Sequence, residues 1–249
     1  MASGNIYICG FPLDFSYSLF FQPLALAKNH TNVLYHPFRN SLDDFRNILL
    51  REETIGANIT APFKESAIFL CDELSETAKI CGSINTISKK NGKIIGNTTD
   101  GEGLVLWLED SGFMEKEIMI LGNGGASRSI AYSLFKRGVE LSIFGRKNKG
   151  WEDNFGKFKD LSTFTPGKLA INTMPFMLHE KRVLEISYSD DFMGDAAFGM
   201  LAMQGFLAFK DWFETDLNRR DFYGFLKTTY RAVKNRGLIL SCCNPENIK

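Results

Sequence analysis

Cysteine and histidine are scarce in this chain of 249 residues. There are three histidines, and the five cysteines (Cys9, Cys71, Cys81, Cys242, Cys243) show no C-x-x-C spacing and no histidine companions. That pattern argues against a metal site and against a disulfide framework, so the cysteines read as reduced thiols. Net charge is missing as well, with 29 Lys and Arg balanced by 29 Asp and Glu. A protein that neutralises many phosphates needs a basic surplus, so no nucleic-acid partner is expected, although a local basic patch is allowed. No apolar run approaches the roughly 18 residues of a membrane span. The N-terminus shows no basic region followed by an apolar stretch, so no membrane association is expected and a cytoplasmic location follows. Internal repeats and low-complexity segments are also lacking. What is present is ordinary: 44% hydrophobic residues, enough for a buried core in one large or two smaller domains.

The polar chemistry is concentrated in Asn58-Ile59-Thr60-Ala61-Pro62-Phe63-Lys64. Pro62 forbids a continuous helix or central strand through the middle. Asn58 and Thr60, two apart, project from one face of a short strand that passes through Gly56, and Lys64 opens a helix running from Glu65 to about Asp72. A lysine at a strand end beside an amide and a hydroxyl can serve as general acid or base; a solvated surface lysine is the alternative. Upstream, Asn5 to Gly10 reads as a strand, and the loop after it carries Ser16 and Ser18. Their hydroxyls can meet one ligand, or Ser18 can cap a helix through Ala27. Val33 to Tyr35 is a strand that Pro37 stops, and Ser41 caps a helix with Leu42, Phe45, Ile48 and Leu49 at helical spacing. Asn91-Gly92, between residues 82–87 and 93–96, marks a two-residue hairpin turn. The second hairpin strand runs into Asn97-Thr98-Thr99-Asp100-Gly101, where Asp100 is either a ligand or the cap of a helix from Gly103 to Leu108.

A second centre begins where the apolar strand Glu117 to Leu121 enters Gly122-Asn123-Gly124-Gly125-Ala126-Ser127, ahead of a helix from Arg128 to Gly138. Glycines let the backbone approach a pyrophosphate, and the helix N-terminus supplies N–H groups and a positive dipole. The next strand, Glu140 to Phe144, ends in Gly145-Arg146-Lys147-Asn148-Lys149. A fold of this kind that takes NAD usually has an acidic residue here for the ribose 2′-hydroxyl. Basic residues suit a 2′-phosphate instead, the alternative being a solvated turn. Leu169 to Met177 makes a strand followed by a proline loop, and Val183 to Tyr188 another strand. From Gly199 to about Phe213 an apolar helical face reads as core, with Gln204 near its edge, and Phe222 to Val233 is a last amphipathic helix.

With these pieces in place, the chain closely resembles the shikimate and quinate dehydrogenase family from about Ile6 to Trp212. Gly10-Phe11-Pro12 with Ser16-Tyr17-Ser18 resembles the family's S-x-S loop, and Asn58 to Lys64 its N-[VI]-T-x-P-x-K segment. Gly82 to Thr86 resembles G-A-x-N-T, and Asn97 to Gly101 resembles x-N-T-D-G. The resemblance implies that Lys64 and Asp100 form a catalytic pair, and that Ser16, Ser18, Asn58, Thr60, Asn85, Tyr188 and Gln204 surround a polyhydroxy carboxylate. It also implies that Gly122, Asn123, Gly124, Gly125, Ala126, Ser127 and Arg146 hold NADP. Asn172 and Thr173 would line the nicotinamide side, and Gly199 stands in the segment matching the family's N-G-x-G-M-L. The chain departs from the pattern at Thr98, where the family has Asn, and at Met177-Leu178, where it has Gly-Met. A second basic clamp falls near Gly150, leaving Lys147 and Lys149 as stand-ins, and the stretch Ser189 to Phe198 is shortened, which points to weaker NADP binding.

The expected protein is an α/β enzyme. Residues 1–102, completed by C-terminal helices in 199–249, form a substrate domain, and 103–198 form a shortened Rossmann-like NADP domain, with the chemistry between them. Its expected activity is the reversible, NADP-dependent reduction of 3-dehydroshikimate to shikimate on the route to chorismate and the aromatic amino acids, by a monomer or homodimer. A quinate or aminoshikimate dehydrogenase and a non-catalytic ligand-binding relative are the alternatives.

Overall fold

The computed structural model describes residues 3–13, 16–29, 32–188 and 193–235. The chain divides into two units: Met1–Thr99 with Gly205–Lys249, and Asp100–Gln204. The first boundary therefore falls at the peptide bond before Asp100, and the second falls inside a helix.

In the first unit the elements run β1 (Ser3–Cys9), α1 (Ser18–Lys28), β2 (Asn32–Phe38), α2 (Leu42–Leu49), β3 (Thr54–Ile59), β4 (Glu73–Leu74), α3 (Glu76–Cys81), β5 (Thr86–Lys90) and β6 (Lys93–Asn97). They build a six-stranded sheet in the order β2-β1-β3-β5-β6-β4. β1 is parallel to β2 and β3, whereas β5 is antiparallel to both β3 and β6. The C-terminal ends of β1, β3 and β6 and the start of β5 consequently share one edge of the sheet. Cys9, Phe45, Leu49, Ala57, Ile59, Leu70, Ile84, Ile87 and Ile94 form the buried core beneath it.

Local sequence accounts for several of these elements. Ser41 caps α2 by accepting from Asp44 N at 3.2 Å. Asn91 and Gly92, at φ 53° and 76°, supply the left-handed pair that a tight hairpin turn needs. Two expectations are corrected. Pro37 does not stop β2 but lies within it, opposite Ile8, because β2 is an edge strand and a missing N–H costs nothing on its open side. The helix expected over 65–72 is a short 3₁₀ turn, Ser66–Leu70. It ends early because Asp72 bonds Ile94 twice, through its own N–H and its side chain, which steers the chain into β4.

The second unit comprises α4 (Asp100–Ser111), β7 (Glu117–Leu121), α5 (Gly125–Phe135), β8 (Glu140–Gly145), β9 (Lys157–Asp160), β10 (Ala170–Asn172), β11 (Val183–Glu185) and α6 (Asp195–Trp212), whose last turns belong to the first unit. Its five-stranded sheet is parallel throughout, in the order β11-β10-β7-β8-β9. The chain leaves β7 toward β8 and later returns to the other side of β7 with β10. That reversal makes the carboxyl ends of β7 and β10 the switch point where open α/β sheets bind ligands. The unit is abbreviated: among the described residues no α-helix separates β8 from β9 or β10 from β11. Of the shortened stretch 189–198, residues 189–192 lie outside the described residues, and α6 begins at Asp195.

The last helix among the described residues, α7 (Arg219–Lys234), returns to the first unit, where Tyr230 packs its ring edge-on to Tyr17 and Phe21. The end of α6 also closes on this sheet. Trp212 Nε1 donates to Ile87 O at 2.9 Å, and its indole fills the space that a side chain at Gly56 would need. Beside it, Asn97 Nδ2 donates to Asp211 Oδ2 at 2.8 Å. Burial raises the Asp211 carboxyl above its ordinary 3.8, opposed in part by the Asn97 amide and by Lys90. An acid whose folded pKa is raised stabilises the fold fully below its unfolded pKa and loses that contribution as pH rises through the folded value. Asp211→Asn, which keeps an acceptor for Asn97, should therefore raise stability at pH 7 by about 1 kcal/mol or less. Urea midpoints should show the gain vanishing by pH 3.5; a gain of equal size at both pH values would refute this account.

Candidate active site

Asn58, Asn85 and Thr99 meet at the shared sheet edge. Asn58, at the end of β3, is buried, accepts from Tyr35 Oη at 2.8 Å and directs its amide to Asn85 O at 3.4 Å. Asn85, also buried, is held by Thr99: its Oδ1 accepts from Thr99 N at 2.8 Å, and its Nδ2 donates to Thr99 Oγ1 at 3.0 Å. Thr99 Oγ1 and Thr86 Oγ1 also donate to that Oδ1, at 3.1 and 3.2 Å. Ile59 N and Asn85 N bond Asn85 O and Asn97 O, so the three strand ends are fixed to one another. These bonds hold the two amides in one orientation.

Past β3, Thr60 N bonds Cys9 O at 2.9 Å and Phe11 N bonds Ala61 O at 3.1 Å. The loop after β1 and the proline segment are thereby joined. Lys64 is half-buried, and its carbonyl accepts from Ile84 N at 2.8 Å. Ser16 and Ser18 are both buried where α1 begins. Ser18 is the first residue of that helix and not its cap. Tyr17 holds the cap position without a side-chain capping bond, and Ser16 Oγ accepts from Ser18 N at 3.2 Å in a turn closed by Leu19 N on Ser16 O.

In the second unit Asp100 is buried as the opening residue of α4. The next residue, Gly101, donates from its N–H to Ser129 Oγ at 2.9 Å. Gln204 is buried on α6, with Nε2 donating to Leu201 O at 3.1 Å, and its backbone closes on Gly103 of α4. Tyr188 is exposed. Gly199 lies inside α6, where a side chain would strike the Trp107 ring, so helix packing by itself explains the glycine.

At the switch point, α5 starts three residues before the expected Arg128. Gly124 precedes it in extended conformation, which puts Gly125, Ala126 and Ser127 in its first turn. The N–H groups of a first turn have no intrahelical acceptor and favour an anion. Nothing stands within 4 Å of the position a Gly124 side chain would take, whereas one on Gly122 would meet Thr173 Oγ1 at 2.5 Å. Arg146 is exposed just beyond β8. An open glycine loop, free helix N–H groups and an exposed guanidinium fit a phosphorylated dinucleotide.

The other residues expected around that ligand have inward partners. Ser127 Oγ and Thr173 Oγ1 are 2.7 Å apart, and Thr173 donates to Leu121 O. Asn172 is fully buried: its amide donates to Phe176 O and Glu185 Oε2, and its Oδ1 accepts from Met174 N. Lys149, expected beside Arg146 as a phosphate ligand, instead sends its ammonium to Asn123 O at 2.9 Å, drawn there by the fold of its own loop. Sequence reasoning did not single out Tyr35, Glu152 or Glu185 as members of these networks. Thr99 was within sight, inside the motif that ends in Asp100.

A polar strand-edge network in one unit and a glycine-rich switch point in the other define a two-unit class of α/β protein. The chain belongs to the shikimate dehydrogenase family. The family described as "Shikimate dehydrogenase substrate binding domain" matches residues 8–87. Similar curated proteins, each named shikimate dehydrogenase (NADP(+)), include one from Colwellia psychrerythraea, 39% identical over 145 residues, 56% of this chain and 53% of the relative. One from Carboxydothermus hydrogenoformans is 30% identical over 190 residues, 69% of this chain and 68% of the relative. The chain thus spans about half the length of the first of these and two thirds of the second. The crystal structure of shikimate dehydrogenase from Aquifex aeolicus superposes with a TM-score of 0.77 at 25% identity, covering 89% of this chain and 96% of that one.

Proposed function

We propose that the protein is an NADP-dependent shikimate dehydrogenase, interconverting shikimate and 3-dehydroshikimate. The observation that carries this reading is the buried Asn58–Asn85–Thr99 network. It holds Asn58, the first residue of the segment that ends in Lys64, to Asn85, and Asn85 to Thr99. NADP, when bound, supplies the hydride acceptor for the alcohol carbon. Lys64 takes the proton of the reacting hydroxyl as that carbon is oxidised and returns it in the reverse direction. Asp100 bonds the same hydroxyl and orients the ammonium. Ser16 and Ser18 hold the carboxylate of the substrate through hydroxyl and backbone donors, and Asn58, Thr60, Asn85 and Gln204 match its ring hydroxyls. Because Ser16, Ser18, Asn58, Asn85, Asp100 and Gln204 are buried, little reorganisation accompanies the chemistry.

The test is NADP reduction with shikimate and quinate side by side. Turnover with shikimate at a kcat/KM at least tenfold above quinate is expected; quinate as the better substrate, or no turnover with either, would refute the reading. Cofactor choice gives a second measurement. Arg146 stands where an acidic ribose ligand would favour NAD, so kcat/KM should be higher with NADP, and Arg146→Asp should reduce that ratio at least tenfold, about 1.4 kcal/mol. An unchanged ratio in the variant would remove Arg146 from the phosphate site.

A further inference from the structure

We propose that Glu152 is a positioning residue for the cofactor, a buried carboxylate that latches the glycine-rich loop to the basic loop; the inference rests on the NADP reading above. Glu152 has 0% of its surface exposed, an unusual placement for a glutamate with no cationic partner among the described residues. Its oxygens are satisfied by two neighbours. Oε1 accepts from Asn123 Nδ2 at 2.5 Å and from Lys149 N at 3.2 Å, while Oε2 accepts from Lys149 N at 3.1 Å. Asn123 carries the link onward, since the same Nδ2 donates to Lys147 O at 2.8 Å and its carbonyl accepts the Lys149 ammonium at 2.9 Å. Gly145 makes the arrangement possible, because a side chain there would lie 2.7 Å from the Asn123 amide.

Two loops that would each be free on the surface are joined in this way. One bears the pyrophosphate-facing glycines and the other bears Arg146 and Lys147. Nucleotide folds often present an acid here to the ribose. Glu152 reaches the same loop but turns both oxygens inward, so it orders the basic loop without opposing a 2′-phosphate. The ordering is complete before ligand arrives, which lowers the cost of binding. Removing the carboxylate takes away the acceptor of the Lys149 N–H and releases Asn123, so the loops separate.

In Glu152→Ala, KM for NADP and the Kd for NADPH measured by fluorescence should rise at least tenfold, with saturated kcat and KM for shikimate within twofold. Glu152→Gln keeps one acceptor oxygen and should recover NADPH affinity to within about threefold of the parent. Glu140→Gln, which removes an exposed acid at the start of β8, should change nothing. In the cofactor-free protein, hydrogen exchange at the Lys149 amide should accelerate at least tenfold in Glu152→Ala alone. Asn123→Ala cuts the link from the other side, and the double variant should be no worse than the poorer single one. It also serves as the test if Glu152→Ala does not fold. A parent protein that binds NADPH beside a Glu152→Ala protein that binds it equally well, or an unaltered Lys149 exchange rate, would overturn the latch and leave the activity standing. A parent that does not bind NADPH would overturn the cofactor reading itself.

Discussion

Lys64→Ala is expected to bind shikimate nearly as well as the parent while kcat falls by ~10² to 10⁴, the loss typical of a removed proton-transfer group. The reason lies in what the lysine is asked to do. On the proposed reading, amides and hydroxyls anchored in the strand-edge network hold the substrate, whereas Lys64 moves the proton of its reacting hydroxyl. Asp100→Asn should lower kcat as well, since the amide cannot orient the ammonium as a carboxylate does. If the two act as a unit, the double variant turns over no more slowly than the poorer single one. Steady-state kinetics with shikimate, beside equilibrium binding by calorimetry, separate the two effects. Near-parental turnover by Lys64→Ala would return the residue to the role of a surface lysine.

Gly101→Ala should be among the most damaging small substitutions in the chain. An added methyl would sit 2.0 Å from Ser129 O, 2.3 Å from Ser129 C and 2.8 Å from Ile130 N. All of these are backbone atoms of α5, so no rotamer change relieves the clash and the two helices have to move apart. The expected cost is roughly 3 kcal/mol or more. Activity should fall with it, because Asp100 is the adjoining residue and the Gly101 N–H bond to Ser129 is strained by the same displacement. Gly224→Ala is the matched control: this glycine is exposed inside α7 with open space around it, and alanine there should stabilise by up to ~1 kcal/mol. Denaturation curves in which the two variants behave alike would show that the close approach of α4 and α5 is readily relaxed.

Much of this protein was legible where chemistry and conformation are coupled within a few residues. Asn91-Gly92 announced its turn, Ser41 its helix, and Gly122 to Ser127 a strand entering a helix N-terminus. Elements set by distant partners were not legible. The chain leaves its 3₁₀ turn at Cys71 because Asp72 bonds Ile94 across the sheet, and β4 is two residues long, too short to carry a period. Pro37 reads locally as a stop, and only its edge position makes it tolerable. The same limit hid the carboxylates. Glu185 gathers the backbone N–H groups of Leu178 and His179 with the amide of Asn172, and Glu152 does the like for Lys149 and Asn123. Nothing in the residues next to either acid marks it as a loop anchor. Gln204, read as sitting near a helix edge, is buried because α6 meets α4 at Gly103, a contact that helical periodicity does not register.

The division of the chain also bears on how the protein emerges from the ribosome. The second unit is one continuous segment, Asp100–Gln204, and every strand of its sheet has been made before its last helix appears. The first unit is interrupted. Its sheet is complete in the first 97 residues, yet Trp212, which covers Gly56 and bonds Ile87 O, and α7, which packs on Tyr17 and Phe21, are synthesised more than a hundred residues later. Vectorial synthesis at ~5–20 residues per second therefore holds the early sheet unfinished for several seconds while the later unit is free to fold. The strand edge that carries Asn58 and Asn85 is drafted early, and α6 and α7 close the unit around it more than a hundred residues later.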